Sequence, residues 1–225
     1  MALKTVKVPK EMEGLFVEAQ KFVEKYFKTM RQDPTKGMIT IGDQRYVLIR
    51  AKSLRLDLAR SIGKMMNIPE KVAEESASKI LYNLAQTIGQ SDAQQFHKSM
   101  GVKDPIAKLS AGPIHFSYSG WAFVDILPES KPSPDENYFL IYDHPYSFEA
   151  AAFIKERGKT AKVPICVMNA GYSSGWCAES FGVRLEAEEI MCTAMGDKFC
   201  RFVMSPPQKL QEYVDKYKKK YKIKR

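Results

Sequence analysis

The sequence lacks the features by which several protein classes are recognised. It contains no run of about 18 apolar residues, so no membrane-spanning helix is predicted. Its first ten residues, MALKTVKVPK, lack the apolar core of a secretory signal, and we therefore expect a cytoplasmic location, where thiols stay reduced. No GxxxxGKS or GxxxxGKT phosphate-binding loop occurs, and only three histidines are present. The small number of histidines, together with the absence of a redox cofactor motif, favours binding over catalysis.

The composition is that of a globular protein. With 225 residues, 44% of them hydrophobic and 27% charged, the chain is long enough for one large or two small domains with a real core. The formal charge of +9 is concentrated in the tail after Pro207, which carries eight basic residues against Glu212 and Asp215. Such a tail is more often a solvated end than a nucleic-acid contact, and no nucleic-acid-binding motif accompanies it. We therefore expect no nucleic acid partner.

Four cysteines, all between residues 166 and 200, form the strongest local pattern. Cys166 is followed after 22 residues by Glu189, then after two by Cys192 and after seven by Cys200. Three thiolates and one carboxylate would complete a tetrahedral Zn²⁺ site with no open position for a substrate, which indicates a structural metal. On spacing alone, buried reduced cysteines are an equal alternative. We interpret the remaining cysteine, Cys177, as a packing residue.

The first half of the chain is predominantly helical by periodicity. Apolar residues recur at helical spacing over residues 9–31 and 51–67, and a third helix is predicted over residues 69–89 or beyond. Between the first two helices, residues 37–50 are predicted to form a β-hairpin about a turn at Gly42.

The second half alternates strands with helices. Residues 104–113 contain two prolines and a glycine and are predicted to form a connection, and residues 115–127 a strand. The other predicted elements are strands at 137–143, 183–192 and 198–204 and helices at 147–157 and 167–181. The predicted fold is α+β, with N-terminal helices and a β-hairpin followed by an antiparallel sheet, packed helices and a structural zinc site.

Aromatic residues are concentrated near the predicted zinc site. Cys166 would begin the helix at 167–181, where the helix dipole favours a thiolate. The candidate pocket residues of this region are Trp121, Phe123, Tyr142, His144 and Tyr172. They could line an apolar ligand pocket, or they could fill the core of the sheet.

Two stretches resemble a known family. The segment GYSSGWCAESFGVRLEAEEIMCTAMGDKFCRFVMSPP looks like the 4-vinyl reductase domain. The segments KGMITIGDQRYVLIRAKSLRLDLARSIG and ILYNLAQTIGQSDAQQF resemble the N-terminal half of the sensor module of bacterial activators of aromatic catabolism. This resemblance spans roughly residues 36–207. It implies a homodimeric module that binds a small aromatic molecule beside a zinc ion held by three cysteines and a glutamate, and the pattern described above matches that zinc set position by position.

The resemblance transfers less completely to the ligand pocket. The phenol-binding histidine of those sensors falls at or beside His115, most simply at Phe116, which therefore joins the candidate pocket residues. A tryptophan that precedes the SFE motif at residues 147–149 is replaced by His144. Because a hydrogen-bonding group has been exchanged, we expect a different and more apolar ligand.

Three functions follow from the sequence. The leading one is a zinc-containing, sensor-type module that binds a small hydrophobic or aromatic ligand and has no output domain of its own. The second is a structural subunit of a larger assembly, docked through its basic tail on an acidic partner. The third is a component of a reductase acting on a vinyl-bearing tetrapyrrole. The expected divisions are a dimerisation-type helical and hairpin half at residues 1–112, a 4-vinyl-reductase-like domain at 113–207 and a basic helix at 208–225.

Overall fold

The computed structural model describes residues 2–223 and confirms the α+β class. Met1 and the end of the predicted basic tail, Lys224 and Arg225, lie outside the described residues. The helices are α1 (Glu13–Phe27), α2 (Leu58–Met66), α3 (Glu70–Met100), α4 (Pro105–Tyr118), α5 (Phe148–Arg157), α6 (Val167–Phe181) and α7 (Pro207–Lys220). The strands are β1 (Val6–Lys7), β2 (Arg31–Asp33), β3 (Met38–Ile41), β4 (Gln44–Tyr46), β5 (Val124–Ile126), β6 (Leu140–His144), β7 (Glu186–Met191) and β8 (Cys200–Ser205). Within this part of the chain, no helix has the length and hydropathy needed to cross a bilayer.

A five-stranded sheet forms the centre of the fold. Its strand order is β1–β5–β6–β8–β7, and every neighbouring pair is antiparallel except β1 with β5. The predicted antiparallel sheet is therefore correct for four strands, whereas the parallel strand β1 has only two residues and is too short for periodicity to indicate. Strands β2, β3 and β4 form a separate sheet. The predicted hairpin is its β3–β4 pair, which turns at Gly42 with a φ of +61° that favours glycine.

Helices cover both faces of the central sheet. Along β8, Phe202 and Met204 contact the core formed with α4 and α6, whereas Val203 contacts the smaller core formed with α7. Burial on both sides explains why all six residues of β8 are buried.

The apolar side of the predicted basic helix is used within the chain. Val214 and Tyr217 of α7 are buried against the outer face of the sheet. Lys220 forms an ion pair with Glu129, and Lys218 lies 3.6 Å from Glu188. Only the exposed lysines of α7, and not its apolar side, are therefore free to contact an acidic partner.

Helix α4 replaces a predicted connection and the start of a predicted strand. The sequence suggested a connection over residues 104–113 and a strand over 115–127, but α4 continues to Tyr118 and the strand is confined to β5. Asp104 caps α4 by accepting a hydrogen bond from the Ala107 N–H at 2.8 Å. The prediction was wrong because prolines and a glycine, which usually mark turns, serve here at a helix start and inside a helix.

Gly112 is required in α4 for packing and not for a turn. A Cβ atom at this position would lie 2.7 Å from the ring of Trp176, so only glycine lets α6 approach. Pro113 follows it within the helix. The predicted boundary between residues 1–112 and 113–207 falls inside this helix, and the division remains a prediction.

Helices α3 and α6 approach so closely that their backbones touch. A Cβ atom at Gly175 would lie 1.9 Å from the carbonyl oxygen of Gln86. One at Gly171 would lie 2.2 Å from the carbonyl oxygen of Tyr82, and Gly89 of α3 meets α6 in the same way. Distances this short exclude any side chain, so glycine at these positions sets the separation of the two helices.

We predict that Gly175→Ala destabilises the protein, whereas Gly14→Ala does not. The new methyl group at position 175 must push α3 and α6 apart, at a cost of about 1–3 kcal/mol or more. Gly14 also lies in a helix but has no atom within 4 Å of the added Cβ, so the same change should be neutral or stabilise by up to about 1 kcal/mol. Urea unfolding of the two variants measures the difference, and equal midpoints would contradict this account of the helix pair.

Candidate metal centre and aromatic pocket

The four residues of the predicted metal pattern meet at one end of the central sheet. Cys166 is the N-cap residue of α6, Glu189 lies on β7, Cys192 directly follows β7, and Cys200 begins β8. Their ligand atoms all lie within 4.8 Å of one another, and all four residues are buried. The sulfur atoms of Cys166 and Cys200 are 3.6 Å apart, well beyond the length of about 2.05 Å of a disulfide bond. The cluster is therefore an assembly of free thiols and one carboxylate that could hold a metal ion.

The protons of the cluster are unevenly distributed. Burial raises the pKa of the Cys166 thiol and of the Glu189 carboxyl group well above their usual values. Hydrogen bonds from Cys166 and Cys200 lower the pKa of the Cys192 thiol, which favours one thiolate in the cluster. The Glu189 Oε2 atom accepts a hydrogen bond from the Cys166 N–H at 2.7 Å. Its Oε1 atom is buried without a hydrogen-bond partner among residues 2–223. A cation at this position would satisfy that oxygen.

Polar groups around the cluster hold Cys166 in position. The Ser147 hydroxyl donates a hydrogen bond to the Cys166 sulfur at 3.2 Å and accepts one from Asn169 Nδ2 at 2.8 Å. Glu149 accepts hydrogen bonds from the N–H groups of Met168 and Asn169, at 3.1 and 2.9 Å, and so anchors the first turn of α6. The start of α5 and the start of α6 are thereby held together at Cys166.

A small, partly open cavity of about 30 Å³ lies between α4, α6 and the sheet. Three of the predicted pocket residues, Phe116, Tyr142 and Tyr172, line it together with Trp176 and Cys177. An engineered cavity that binds benzene measures about 150 Å³. The cavity in its present shape is therefore too small for an aromatic ring, although its lining is almost entirely apolar.

The remaining predicted pocket residues lie outside this cavity. Trp121 and Phe123 line a surface cleft of about 590 Å³, together with the exposed Tyr146. His144 is fully buried, and its ring packs against Phe116 at a centroid distance of 5.5 Å. The predicted set is thus divided between the small cavity, a surface cleft and a buried histidine close to both.

Several buried polar atoms near the cavity lack hydrogen-bond partners within the described residues, among them His115 Nε2, whose ring stacks on Trp176. The Tyr142 hydroxyl lies towards Ser173, but no atom of the described residues is in hydrogen-bonding geometry with it. The same holds for His144 Nε2 within residues 2–223. Burial lowers the pKa of His144 to about 3, so the ring is neutral at physiological pH. Unsatisfied buried polar groups are costly and are common where a ligand supplies the missing partner.

A polar triad that sequence reasoning missed lies behind the cavity. The Tyr172 hydroxyl donates a hydrogen bond to Asp92 at 2.9 Å and lies 2.8 Å from His115 Nδ1. Burial raises the pKa of Asp92 to about 6 and lowers that of His115 to about 3. The available sequence signal was the position of Asp92 on the same side of α3 as Gly89 and Phe96, where an apolar residue is expected.

Comparison with known proteins agrees with the resemblance read from the sequence. Residues 148–206 match the family model of the 4-vinyl reductase domain, and this range includes all four residues of the cluster. No curated protein sequence matches the chain.

The chain is also similar to solved structures. It superposes on the phenol-responsive sensory domain of the transcription activator PoxR, crystallised with phenol, with a TM-score of 0.71 at 20% sequence identity, covering 88% of this chain and 96% of that one. A trafficking protein particle complex subunit 3 from Naegleria fowleri, covalently bound to palmitic acid, is more distant, with a TM-score of 0.45 at 13% identity over 69% of this chain and 93% of that one. The first comparison shows that the fold is that of this sensory domain.

We predict that Asp92→Asn makes the protein more stable at pH 7 and removes part of its pH dependence. The pKa of Asp92 rises from 3.8 to about 6 on folding, so the ionised carboxylate opposes folding once the pH exceeds the unfolded value. Stability of the native sequence should therefore fall as the pH rises from about 4 to about 6, and the variant should gain about 1–2 kcal/mol at pH 7.

Urea unfolding between pH 4 and pH 7 tests this prediction. Glu75→Gln, on the exposed side of α3, is the control and should leave the pH profile unchanged. Superimposable profiles for Asp92→Asn and the native sequence would show that burial does not perturb this carboxylate.

Proposed function

We propose that the protein is a zinc-containing module that binds a small apolar or aromatic molecule, as a sensor domain does, and that it carries no catalytic residues. The observation that supports this proposal most directly is an apolar cavity where α4 and α6 cover the sheet, lined by a tyrosine whose hydroxyl has no hydrogen-bond partner in the described residues. The fold is shared with a sensory domain that was crystallised with phenol. A cytoplasmic location is part of the proposal.

The donor set supports zinc as the metal. Tetrahedral zinc holds thiolates at about 2.3 Å, which separates neighbouring sulfur atoms by about 3.8 Å. The 3.6 Å between Cys166 and Cys200 agrees with this spacing. The unpaired Oε1 atom of Glu189 supplies a fourth ligand, so Cys166, Glu189, Cys192 and Cys200 would saturate the ion. A saturated ion stabilises the junction of α6 with β7 and β8 and leaves no position for a substrate.

We predict about one zinc ion per chain and a severe loss of stability in Cys192→Ala. Removing one ligand leaves the other thiolates and the carboxylate uncompensated in a buried site, at a cost of at least about 3 kcal/mol. Metal analysis of the purified protein and thermal unfolding with and without a chelator measure both effects. Cys177→Ala is the matched control, because Cys177 is also buried but lies outside the cluster, and it should retain the metal and lose roughly 1 kcal/mol. A metal-free protein of normal stability would refute the zinc site.

The lining of the cavity supports an apolar ligand with at most one hydrogen-bonding group. Phe116, Tyr172 and Trp176 provide aromatic walls, and the Tyr142 hydroxyl is the polar group that a ligand could satisfy. Because the cavity measures about 30 Å³, a ring can enter only if a side chain moves aside.

We predict that the Tyr142 hydroxyl discriminates between ligands with and without a hydroxyl group. Tyr142→Phe should weaken phenol binding about 5- to 100-fold and leave toluene binding nearly unchanged, because it deletes one buried hydrogen bond. Tyr138→Phe is the control, since its hydroxyl is also buried and unpaired within the described residues but does not line the cavity. Native mass spectrometry for co-purified molecules and calorimetry with the two compounds provide the measurements. A protein that neither carries nor takes up any small apolar molecule would refute ligand binding and favour a purely structural role.

The exposed segment after β4 supports the homodimer in this proposal. Val47, Leu48 and Ile49 are 71%, 82% and 56% exposed and continue from the edge strand of the small sheet. Contiguous exposed apolar residues beside an unpaired strand edge are typical of a protein interface. We infer that a second copy of the chain covers them.

We predict that Leu48→Glu converts a dimer into a monomer. A charge at the centre of the apolar segment must be desolvated on association. Val163→Glu is the control, because Val163 is 64% exposed but isolated in a loop, and this variant should remain dimeric. Light scattering after size-exclusion chromatography gives the masses, and a dimeric Leu48→Glu protein would exclude this surface.

A further inference from the structure

We propose that the surface cleft is the outer part of the ligand site and that the Trp121 indole is the movable outer layer of the partition between the cleft and the small cavity. This inference rests on the proposed small-molecule function and adds an entrance to it. The cleft is lined by Trp121, Phe123, Tyr146 and Phe148, among others, and is the larger space by a wide margin, at about 590 Å³ against about 30 Å³ for the cavity.

Two layers of aromatic rings separate the two spaces: Trp121 lines the cleft but not the cavity, and Phe116 and Tyr172 line the cavity but not the cleft. On its inner side, the Trp121 ring lies 5.3 Å from Phe116 and 4.9 Å from Tyr172, measured between centroids, and both of those residues line the cavity. On its outer side, Trp121 lines the cleft and contacts Phe148 at 5.3 Å. Displacement of this one indole would bring the rings that line the cavity into contact with the cleft.

The two tryptophans of the chain are held in different ways. Trp176 is 1% exposed, donates a hydrogen bond from Nε1 to the Lys108 carbonyl at 3.2 Å and packs against Gly112. Trp121 is only half buried, and its ring is held by the aromatic contacts described above. Its backbone, in contrast, is fixed, because its N–H donates to the Phe116 carbonyl at 3.0 Å. The indole can therefore change rotamer while the chain around it stays in place.

The volume of the cavity indicates which ligands could enter only if the Trp121 indole moved. A ring such as benzene requires a cavity of about 150 Å³, several times the space now present. A turn of the Trp121 indole into the cleft would vacate the space of an aromatic side chain beside Phe116 and Tyr172. The apolar cleft walls formed by Phe123, Tyr146 and Phe148 would then receive the displaced indole. Flat, uncharged molecules of one or two rings suit the vacated space, because the ring of such a ligand would take the place of the Trp121 indole.

A competing entrance lies between α4 and α6. Among the residues that line the cavity, Pro113 and Ser173 are only half buried. A ligand that entered there would pass between the two helices and would not involve Trp121. A decisive experiment must therefore distinguish these two routes.

The sequence offers a direct test, because it contains only two tryptophans. W121F and W121A each leave Trp176, which lines the cavity, as the sole fluorophore. W121F keeps a ring in the partition, whereas W121A removes it. We expect the acrylamide quenching constant of Trp176 to be at least about threefold higher in W121A than in W121F, because the open state is then populated permanently. If W121A does not fold, as judged by circular dichroism, W121L takes its place.

Two further variants in the W121F background serve as controls. Val163→Ala alters an exposed loop residue that lines neither the cleft nor the cavity and should leave quenching of Trp176 unchanged. Ser173→Ala widens the competing route and should also have no effect. Equal quenching in W121A and W121F, or a rise caused by Ser173→Ala, would overturn the proposal.

Ligand binding is measured separately, so that failure of the gate and failure of the function are distinguishable. Stopped-flow mixing of the native protein and W121A with indole should give an association rate at least about tenfold higher for W121A, since the closed state no longer limits entry. If the native protein binds indole as fast as W121A does, Trp121 is not a barrier to entry, although the proposed small-molecule function stands. Raised quenching in W121A with no uptake of indole, phenol or toluene by either protein would refute that function and retain Trp121 only as a partition.

Discussion

Backbone contact between α3 and α6 fixes the position of α6, the helix that packs against the central sheet, α4 and the cysteine cluster. Gly171 and Gly175 remove the side chains that would hold the two helices apart, so α6 is clamped along its length to the longest helix of the chain. The opposite side of α6 then faces the sheet and α4. Gly112 allows the ring of Trp176 to pack directly on α4, which closes the third side. Because α6 is fixed on three sides, its N-cap residue, Cys166, is held at one position at the end of the sheet.

The metal cluster completes this arrangement at the helix terminus. A helix start leaves N–H groups without intrahelical partners, and here carboxylates accept them: Glu149 binds the first turn of α6, and Glu189 binds the N–H of Cys166. The cluster thus joins α6 to β7 and β8 through both a hydrogen bond and the proposed shared ion. The cluster lies at the end of the sheet and does not line the cavity between α4, α6 and the sheet.

The interior near the cavity combines large apolar rings with polar atoms that are only partly satisfied. Tyr142 and His144 each present an unpaired polar atom within the described residues, and the pKa of Asp92 is raised to about 6 behind Tyr172. A core selected for stability alone would exclude such groups, since each is costly to bury. Their position beside a small cavity, with Trp121 between that cavity and a surface cleft, is the physical argument for a binding function.

The sequence by itself determined the elements with strong local signals. The helix at residues 167–181 and its start at Cys166 were predicted correctly, and so was the strand pair that carries Glu189 and Cys200, because helical and alternating periods are local properties. The four-residue metal pattern was visible from spacing and resemblance. Only the tertiary structure decided the rest. Gly112 and Pro113 were predicted to belong to a connection but lie within α4, since the close approach of Trp176 could not be inferred from neighbours in sequence. The candidate pocket residues are divided between a cavity and a cleft for the same reason. Whether a ring faces an internal space or the surface depends on packing between residues distant in the chain, which no local sequence pattern indicates.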